Sequence, residues 1–183
     1  LKVVDNYMML NNKNLLKWNN NNNDFSKWKA NIRGVDLNRN YRAKWDKCKD
    51  IEKELEIKGP WFEAYAGEYP ESEPETMAIA NYTRQQCFDM VLSYHTQGRV
   101  IYWTFDNIAI PGAEKMGREL ARVSGYDLDT PDEDASYGGY KDWFIQEFKK
   151  PGYTIECGVG ENPLPLNQLD DIYKENLKLL LVA

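Results

Sequence analysis

The amino-acid sequence predicts an α/β fold in which helices cover the faces of a sheet. Apolar residues recur at helical spacing in several segments, short apolar runs separate these segments, and glycine or proline lies at many of the boundaries. Helices that alternate with short apolar strands are typical of this architecture. The predicted helices are 74–87, 114–123, 140–148 and 166–181, and the predicted strands are 90–95, 100–105 and 153–157.

The predicted helices are bordered by residues that typically mark where a helix begins or ends. The run 72–75, Ser-Glu-Pro-Glu, combines a capping residue, a proline in the first turn and acidic side chains at the positive end of the helix dipole. Gly125 suits the position that follows a helix. The last helix places one set of residues at helical spacing, which predicts that this face packs on the core: Leu169, Ile172, Tyr173, Asn176, Leu177 and Leu180.

Composition excludes several classes of function. The chain has 183 residues, which fits one domain, and a net charge of −6 without any basic stripe. This charge argues against a nucleic-acid partner, because phosphate binding needs clustered cations. No apolar run approaches the ~20 residues of a membrane span, so none is predicted. Three scattered cysteines predict free, mostly buried thiols and not a disulfide framework.

The first part of the chain predicts little regular structure. Residues 11–24 are interpreted as an Asn-rich loop, because Asn19 to Asn23 is an uninterrupted asparagine run that favours turns. Val3 and Val4 fit a strand that starts upstream, and the chain begins with Leu1, not Met. We therefore expect residues 1–183 to be part of a longer domain.

Two predicted strands end in residues capable of chemistry. His95 is the only histidine, and Glu156 interrupts an apolar strand. A lone histidine is often structural, but ligands collect at the carboxyl ends of strands in open α/β sheets. A carboxylate in a strand has to be paired, metal-bound or used in proton transfer, because burying an uncompensated charge is costly.

A third polar cluster, Asp36-Leu37-Asn38-Arg39-Asn40, follows Gly34-Val35 and is predicted to be a loop. Arg39 is compatible with an ordinary surface ion pair. It is also compatible with bidentate binding of a substrate carboxylate, for which a guanidinium group has the right geometry.

Taken together and in order, these segments resemble the zinc metallocarboxypeptidase family. The resemblance covers the chain from about Trp28 onwards. It rests on five stretches: Gly34 to Asn40, Gly59-Pro60 with Ser72 to Thr76, Ser93-Tyr94-His95, Gly138-Gly139 through Asp142-Trp143, and Tyr153 to Glu156. Further stretches resemble the bacterial γ-D-glutamyl-L-diamino acid endopeptidases: 25–31, 95–98, 140–147 and 162–166.

The resemblance implies the C-terminal part of a mixed-sheet zinc-carboxypeptidase fold, with helices on both faces. It implies a Zn²⁺-dependent peptidase that cuts peptidoglycan stem peptides between D-glutamate and diaminopimelate. His95 would be a zinc ligand, and Glu156 the general base towards metal-activated water. Asn38 and Arg39 would hold the substrate carboxylate. Lys141 would select the diaminopimelate side chain, although an ordinary exposed helix lysine is an equal alternative.

Three departures from the family pattern are visible. The family's first zinc motif, His-x-x-Glu, is absent, so two ligands are expected from upstream sequence and the 183 residues alone are expected to be inactive. The residue that polarises the scissile carbonyl is usually arginine, and Lys29 is nearest in position here. The substrate-capping tyrosine is displaced: Asp134 lies near that register, and Tyr137 is a candidate substitute.

Two alternatives remain at this stage. One is a binding module that retains the carboxylate grip but does not hold zinc, and the other is an unrelated α/β structural domain. The resemblance implies a bacterial protein that acts outside the cell or at the cell wall in preference to the cytoplasm.

Overall fold

The computed structural model describes residues 13–183, which divide into two compact units. The first contains the described residues up to Gln86 together with Tyr137–Gly139. The second contains Cys87–Ser136 and Tyr140–Ala183. Val3 and Val4, which we interpret as part of a strand, lie outside the described residues.

The first unit contains three α-helices and a short 3₁₀ helix among its described residues. They are α1 Lys13–Trp18, the 3₁₀ helix Leu37–Arg39, α2 Trp45–Glu54 and α3 Pro74–Gln85. The start of α3 agrees with the helix-start signal in the sequence, since Glu73 is the N-cap and Pro74 the first helical residue. Helix α2 was not predicted, although Trp45, Cys48 and Ile51 recur at helical spacing.

The prediction of a loop over residues 11–24 is wrong for its middle part. Residues Lys13–Trp18 form α1, because Leu15 is fully buried and packing outweighs the loop-like composition. The asparagines that follow do form turns. The amide of Asn19 donates to the carbonyls of Asn22 and Asp24, at 2.7 and 3.0 Å.

The second unit is built on a four-stranded mixed sheet. Its strands are β1 Val91–His95, β2 Val100–Tyr102, β3 Asp127–Asp129 and β4 Gly152–Glu156, in the order β1-β4-β2-β3. The pairs β1–β4 and β2–β3 are parallel, whereas β2 and β4 are antiparallel. The helices are α4 Ala113–Ser124, α5 Glu133–Ser136, α6 Tyr140–Phe148 and α7 Leu169–Leu180, with a 3₁₀ turn at Leu166–Gln168.

Helices lie on both faces of this sheet, as predicted. Ile155 of β4 and Ile101 of β2 belong to one buried cluster with Leu120 of α4 and Leu179 of α7. On the other face α6 packs against β1 and β4, where Gly152 leaves room for the stem of Lys141. Because side chains alternate along β4, successive residues of this strand face α4 and α7 on one side of the sheet and α6 on the other.

Two strands differ from the sequence prediction. Strand β2 ends at Tyr102 instead of residue 105, and the carbonyl of Thr104 accepts a hydrogen bond from Lys141 Nζ at 2.8 Å. Strand β3 was missed because its sequence is Asp-Leu-Asp, and aspartate is depleted in strands. Pairing with β2 stabilises the extended conformation of β3, which its own residues do not favour.

The inward face of α7 also differs from the prediction. Asn176 and Leu179 are buried and Ile172 packs against the core cluster. The other apolar residues that we assigned to this face are exposed: Leu169, Tyr173, Leu177 and Leu180. Only one half of the apolar arc of α7 is therefore covered by the described chain.

No helix among residues 13–183 is both long and apolar enough to cross a lipid bilayer. The three cysteines are free thiols, with Cys48 and Cys157 buried and Cys87 exposed.

We predict that Leu179→Ala lowers the free energy of unfolding by about 2–5 kcal/mol, because it opens a cavity in the core of the second unit. Leu177→Ala is the matched control on the same helix. Leu177 is 43% exposed whereas Leu179 is fully buried, so this change should cost less than about 1 kcal/mol. Urea denaturation followed by circular dichroism measures both. Equal losses would contradict the observed orientation of α7.

Candidate active site

His95 and Glu156 are brought together by the pairing of β1 with β4. The two residues are register partners at the ends of parallel strands. Neighbouring parallel strands lie about 4.8 Å apart, and paired residues project to the same face. The prediction that they lie on adjacent strand ends is therefore confirmed, while their chemical roles remain predictions.

Polar residues continue along this face of the sheet. Ser93 and Thr154 are register partners two residues before His95 and Glu156, and Tyr102 of β2 pairs with Thr154. Burial raises the pKa of Tyr102, and the negative charge of Glu156 raises it further. The sequence analysis did not identify these three residues. Every second residue of a strand faces the same side, so Ser93 and Thr154 follow from His95 and Glu156 by counting back two positions.

Cys157 does not share this face. It is buried in the core cluster with Ile155 and Leu179, and burial raises the pKa of its thiol. This agrees with the expectation that adjacent strand residues point to opposite faces.

In the first unit, the loop that carries Asn38 and Arg39 is fixed at both ends. The carboxylate of Asp36 accepts hydrogen bonds from the N–H groups of Asn38 and Ala64, at 3.1 and 3.0 Å. At the other end the fully buried amide of Asn40 donates to the carbonyl of Ala66 at 2.7 Å. Asn38 is exposed and Arg39 half-buried between these anchors.

Tyr137 lies beside Arg39 within this unit. The guanidinium of Arg39 donates to the carbonyl of Tyr137 at 3.0 Å. The neighbouring Gly138 is bonded by its backbone to Tyr41 and Ala43, at 3.0 and 2.8 Å. Two of the predicted substrate-binding residues are therefore in contact.

Lys29 forms an ion pair on the surface. Its ammonium lies 2.9 Å from Glu63 Oε2, and its side chain is 61% exposed. Exposed ion pairs contribute little, about 0–1 kcal/mol, so the contact does not fix Lys29 in place. Its role in polarising a carbonyl stays a prediction.

Lys141 is buried, so the interpretation of this residue as an ordinary exposed helix lysine is wrong. Its side chain is 3% exposed, and its ammonium is held by the carbonyl of Thr104 and the carboxylate of Asp142. The helix α6 therefore presents a buried, paired cation beside β4 at Gly152.

The described residues do not provide a complete zinc site. A catalytic zinc has three protein ligands, whereas the sequence holds one histidine. No cluster of three or more His, Cys, Asp or Glu side chains suited to a metal occurs among the side chains that the structure describes, which exclude those of residues 133 and 134. The described residues therefore supply one imidazole ligand, His95, and a neighbouring carboxylate, Glu156.

Comparison with known proteins supports a family assignment. A profile of the zinc carboxypeptidase family matches residues 4–179. The chain is 49% identical over 170 residues to γ-D-glutamyl-L-diamino acid endopeptidase 1 of Lysinibacillus sphaericus, covering 92% of this chain and 41% of that protein. The chain therefore spans less than half the length of this curated relative.

Solved structures support the fold. Murein-tripeptide amidase MpaA of Escherichia coli O157 superimposes with a TM-score of 0.57 at 22% identity, covering 84% of this chain and 60% of that one. Bovine thrombin-activatable fibrinolysis inhibitor superimposes with a TM-score of 0.60 at 22% identity, covering 81% and 55%.

We predict that Gly138→Ala destabilises the first unit by about 2–4 kcal/mol. Gly138 has φ 72, and a Cβ there would overlap the backbone of Arg39. Gly59→Ala is the matched control, since its Cβ would meet no atom within 4 Å. Thermal unfolding checks both, and an unchanged midpoint for Gly138→Ala would contradict the close approach of Gly138 to Arg39.

Proposed function

Because this chain belongs to the zinc carboxypeptidase family, we propose that it forms part of a peptidase that hydrolyses the γ-D-glutamyl–diaminopimelate bond of peptidoglycan stem peptides. The register pairing of His95 with Glu156 on a polar sheet face carries the proposal. The substrate class is inferred from the 49% identity to the Lysinibacillus sphaericus endopeptidase.

Glu156 is the proposed proton carrier. Its carboxylate takes a proton from the water that attacks the γ-glutamyl carbonyl carbon, and it delivers this proton to the amine nitrogen of diaminopimelate as the C–N bond breaks. It lies at the end of β4, between the register partners His95 of β1 and Val100 of β2. A carboxylate fixed by two flanking strands loses little freedom when the substrate binds.

His95 is the proposed zinc ligand from this chain. Two further ligands would come from a His-x-x-Glu motif in the remainder of the longer protein, since the described residues lack such a set. Lys29 is proposed to polarise the scissile carbonyl after leaving its exposed ion pair with Glu63.

Substrate binding is assigned to residues of both units, each considered by itself. Asn38 and Arg39 bind the carboxylate on the C-terminal side of the scissile bond, and Tyr137 lies beside them. Lys141 binds the distal carboxylate of diaminopimelate. An ammonium has three donors, and the contacts to Thr104 and Asp142 leave one.

We propose that the protein acts outside the cell or at the bacterial cell wall in preference to the cytoplasm, because its proposed substrate is a peptide of peptidoglycan. A second candidate function is a carboxylate-binding module without hydrolytic activity. Two observations favour it: the loop around Arg39 is anchored at both ends, and the sequence holds one histidine.

We predict that the 183-residue chain alone binds zinc more weakly than about micromolar and does not cleave stem peptides, because one imidazole is too few. Isothermal titration of chelator-treated protein measures the affinity. In a protein with the complete domain, His95→Ala should lose both zinc and activity. Glu156→Gln should keep zinc and lose activity, because only the proton carrier is removed.

Zinc content by mass spectrometry and peptide cleavage by chromatography separate these outcomes. Full activity in complete-domain Glu156→Gln would contradict the proposed reaction. Peptide binding without zinc and without cleavage in the unmodified complete domain would favour the binding module.

We predict that Arg39→Ala in the complete domain lowers kcat/KM by about tenfold to a hundredfold, which corresponds to the roughly 1.5–3 kcal/mol of a charged hydrogen bond. The loss should shrink for a substrate whose carboxylate is converted to an amide. Arg33→Ala is the control, because Arg33 is an exposed arginine of the same unit. Equal losses for both substrates would contradict carboxylate binding by Arg39.

A further inference from the structure

Buried polar groups connect two segments of the first unit that carry candidate substrate-binding residues. One segment contains Lys29, and the other contains Asn38 and Arg39. Between them lie Asn40, which is fully buried, and Glu73 at the start of α3, which is 5% exposed. A buried carboxylate is costly unless polar partners surround it, and Glu73 has no role in the chemistry proposed above.

The carboxylate of Glu73 does not cap the helix that it begins. A side chain at the N-cap position usually accepts a hydrogen bond from an N–H group of the first helical turn. Glu73 occupies this position, but its side chain makes no such bond. Its Oε2 accepts instead from the amide of Asn31 at 2.7 Å, and its Oε1 accepts from the hydroxyl of Ser72 at 3.0 Å. The side chain therefore contacts a residue 42 positions earlier in the chain and not its own helix.

Asn31 uses both ends of its side chain. Its Oδ1 accepts from the N–H groups of Arg33 and Val35 at 3.0 and 3.1 Å, which closes a local turn. Its amide nitrogen is then free to donate to Glu73. The guanidinium of Arg33 lies 3.8 Å from the same carboxylate, but it is 64% exposed and contributes little. The hydrogen bond from Asn31 is therefore the main contact between this turn and the start of α3.

Asn40 forms the other end of the connection. Its Oδ1 accepts from the backbone N–H of Glu73 at 3.2 Å. Its amide donates to the hydroxyl of Ser72 at 3.0 Å and to the carbonyl of Ala66 at 2.7 Å. Gly67 packs against these groups, since a Cβ there would lie 2.5 Å from Ser72 Oγ and 2.7 Å from Asn40 Nδ2. This close packing fixes the side chain of Asn40.

On the basis of the proposed function, which assigns Lys29 and Arg39 to the substrate, we infer that Glu73 is a positioning residue that couples these two segments. Through Asn31 on one side and Asn40 on the other, it holds the backbone near Lys29 and the backbone at Arg39 in one arrangement. A carboxylate suits this role, because both of its oxygens accept hydrogen bonds. The two segments therefore keep one separation before a substrate binds, which lowers the entropy lost on binding.

Reversing the polarity of one hydrogen bond tests this role. Asn31→Asp keeps the oxygen that closes the local turn and replaces the amide donor by an oxygen that faces Glu73 and, at 3.5 Å, Glu75. Adding Glu73→Gln turns the acceptor into a donor, so the double variant restores the hydrogen bond with the original total charge. Asn22→Asp is the control, because Asn22 is exposed and its Oδ1 likewise accepts an N–H, that of Asp24 at 2.9 Å.

Hydrogen exchange of the 183-residue chain gives a readout that needs neither metal nor catalysis. The reporter is the N–H of Arg39, which donates to the carbonyl of Asp36 at 2.9 Å. We expect its exchange to be at least about tenfold faster in Asn31→Asp and to return to within about threefold of the original rate in the double variant. Asn22→Asp should leave it unchanged. Circular dichroism and the amides of β4 in the second unit establish that each variant is folded.

A second variant acts at the other end of the connection. Ser72→Ala removes the hydroxyl that lies between Asn40 and Glu73. Coupling between two sites is reciprocal. Exchange at the N–H of Lys29, which donates to the carbonyl of Phe62 at 2.9 Å, should therefore become faster in this variant.

Kinetics of the complete domain separate positioning from a general loss of stability. Asn31→Asp should lower kcat/KM by at least about tenfold, or 1.4 kcal/mol, and the double variant with Glu73→Gln should recover it. When Arg39→Ala is already present, Asn31→Asp should cause a smaller further loss, because the guanidinium that it positions is gone. A general loss of stability would lower kcat/KM equally in both backgrounds.

Two outcomes would overturn the inference. Unchanged exchange at Arg39 in folded Asn31→Asp, or at Lys29 in folded Ser72→Ala, would show that the two segments are independent. Faster exchange at Arg39 that Glu73→Gln does not reverse would show that the effect does not pass through this hydrogen bond. If exchange changes as expected but the unmodified complete domain does not cleave stem peptides, the coupling stands and only the proposed function is contradicted.

Discussion

The parallel pairing of β1 with β4 is the constraint on which the candidate site depends. Because side chains alternate along a strand, a slip of one residue would turn either His95 or Glu156 towards the core. Burial of Tyr153 and Ile155 against α4 and α7 prevents that slip. On the opposite face Gly152 allows α6 to approach. The apolar core therefore sets the register, and the register places an imidazole beside a carboxylate.

The first unit achieves rigidity by a different means. The loop with Asn38 and Arg39 is held by polar groups, namely the half-buried carboxylate of Asp36 and the fully buried amide of Asn40. Leaving a buried polar group unsatisfied costs about 1–3 kcal/mol, so the amide of Asn40 favours this conformation of the loop. Asn38 and Arg39 are thereby held at defined positions before any ligand binds, and a preorganised site loses less entropy on binding.

The sequence alone determined the α/β class, the main helices and strands, and the two strand ends that carry His95 and Glu156, since periodicity and end signals act locally. Tertiary structure decided what depends on distant neighbours. Strand β3 exists because β2 pairs with it, and Lys141 is buried because Gly152 makes room for it. The same holds for α7, whose apolar arc from Leu169 to Leu180 predicted a buried face. Its sequence does not state which half of that arc this chain covers, because burial depends on what packs against the helix and not on helical spacing.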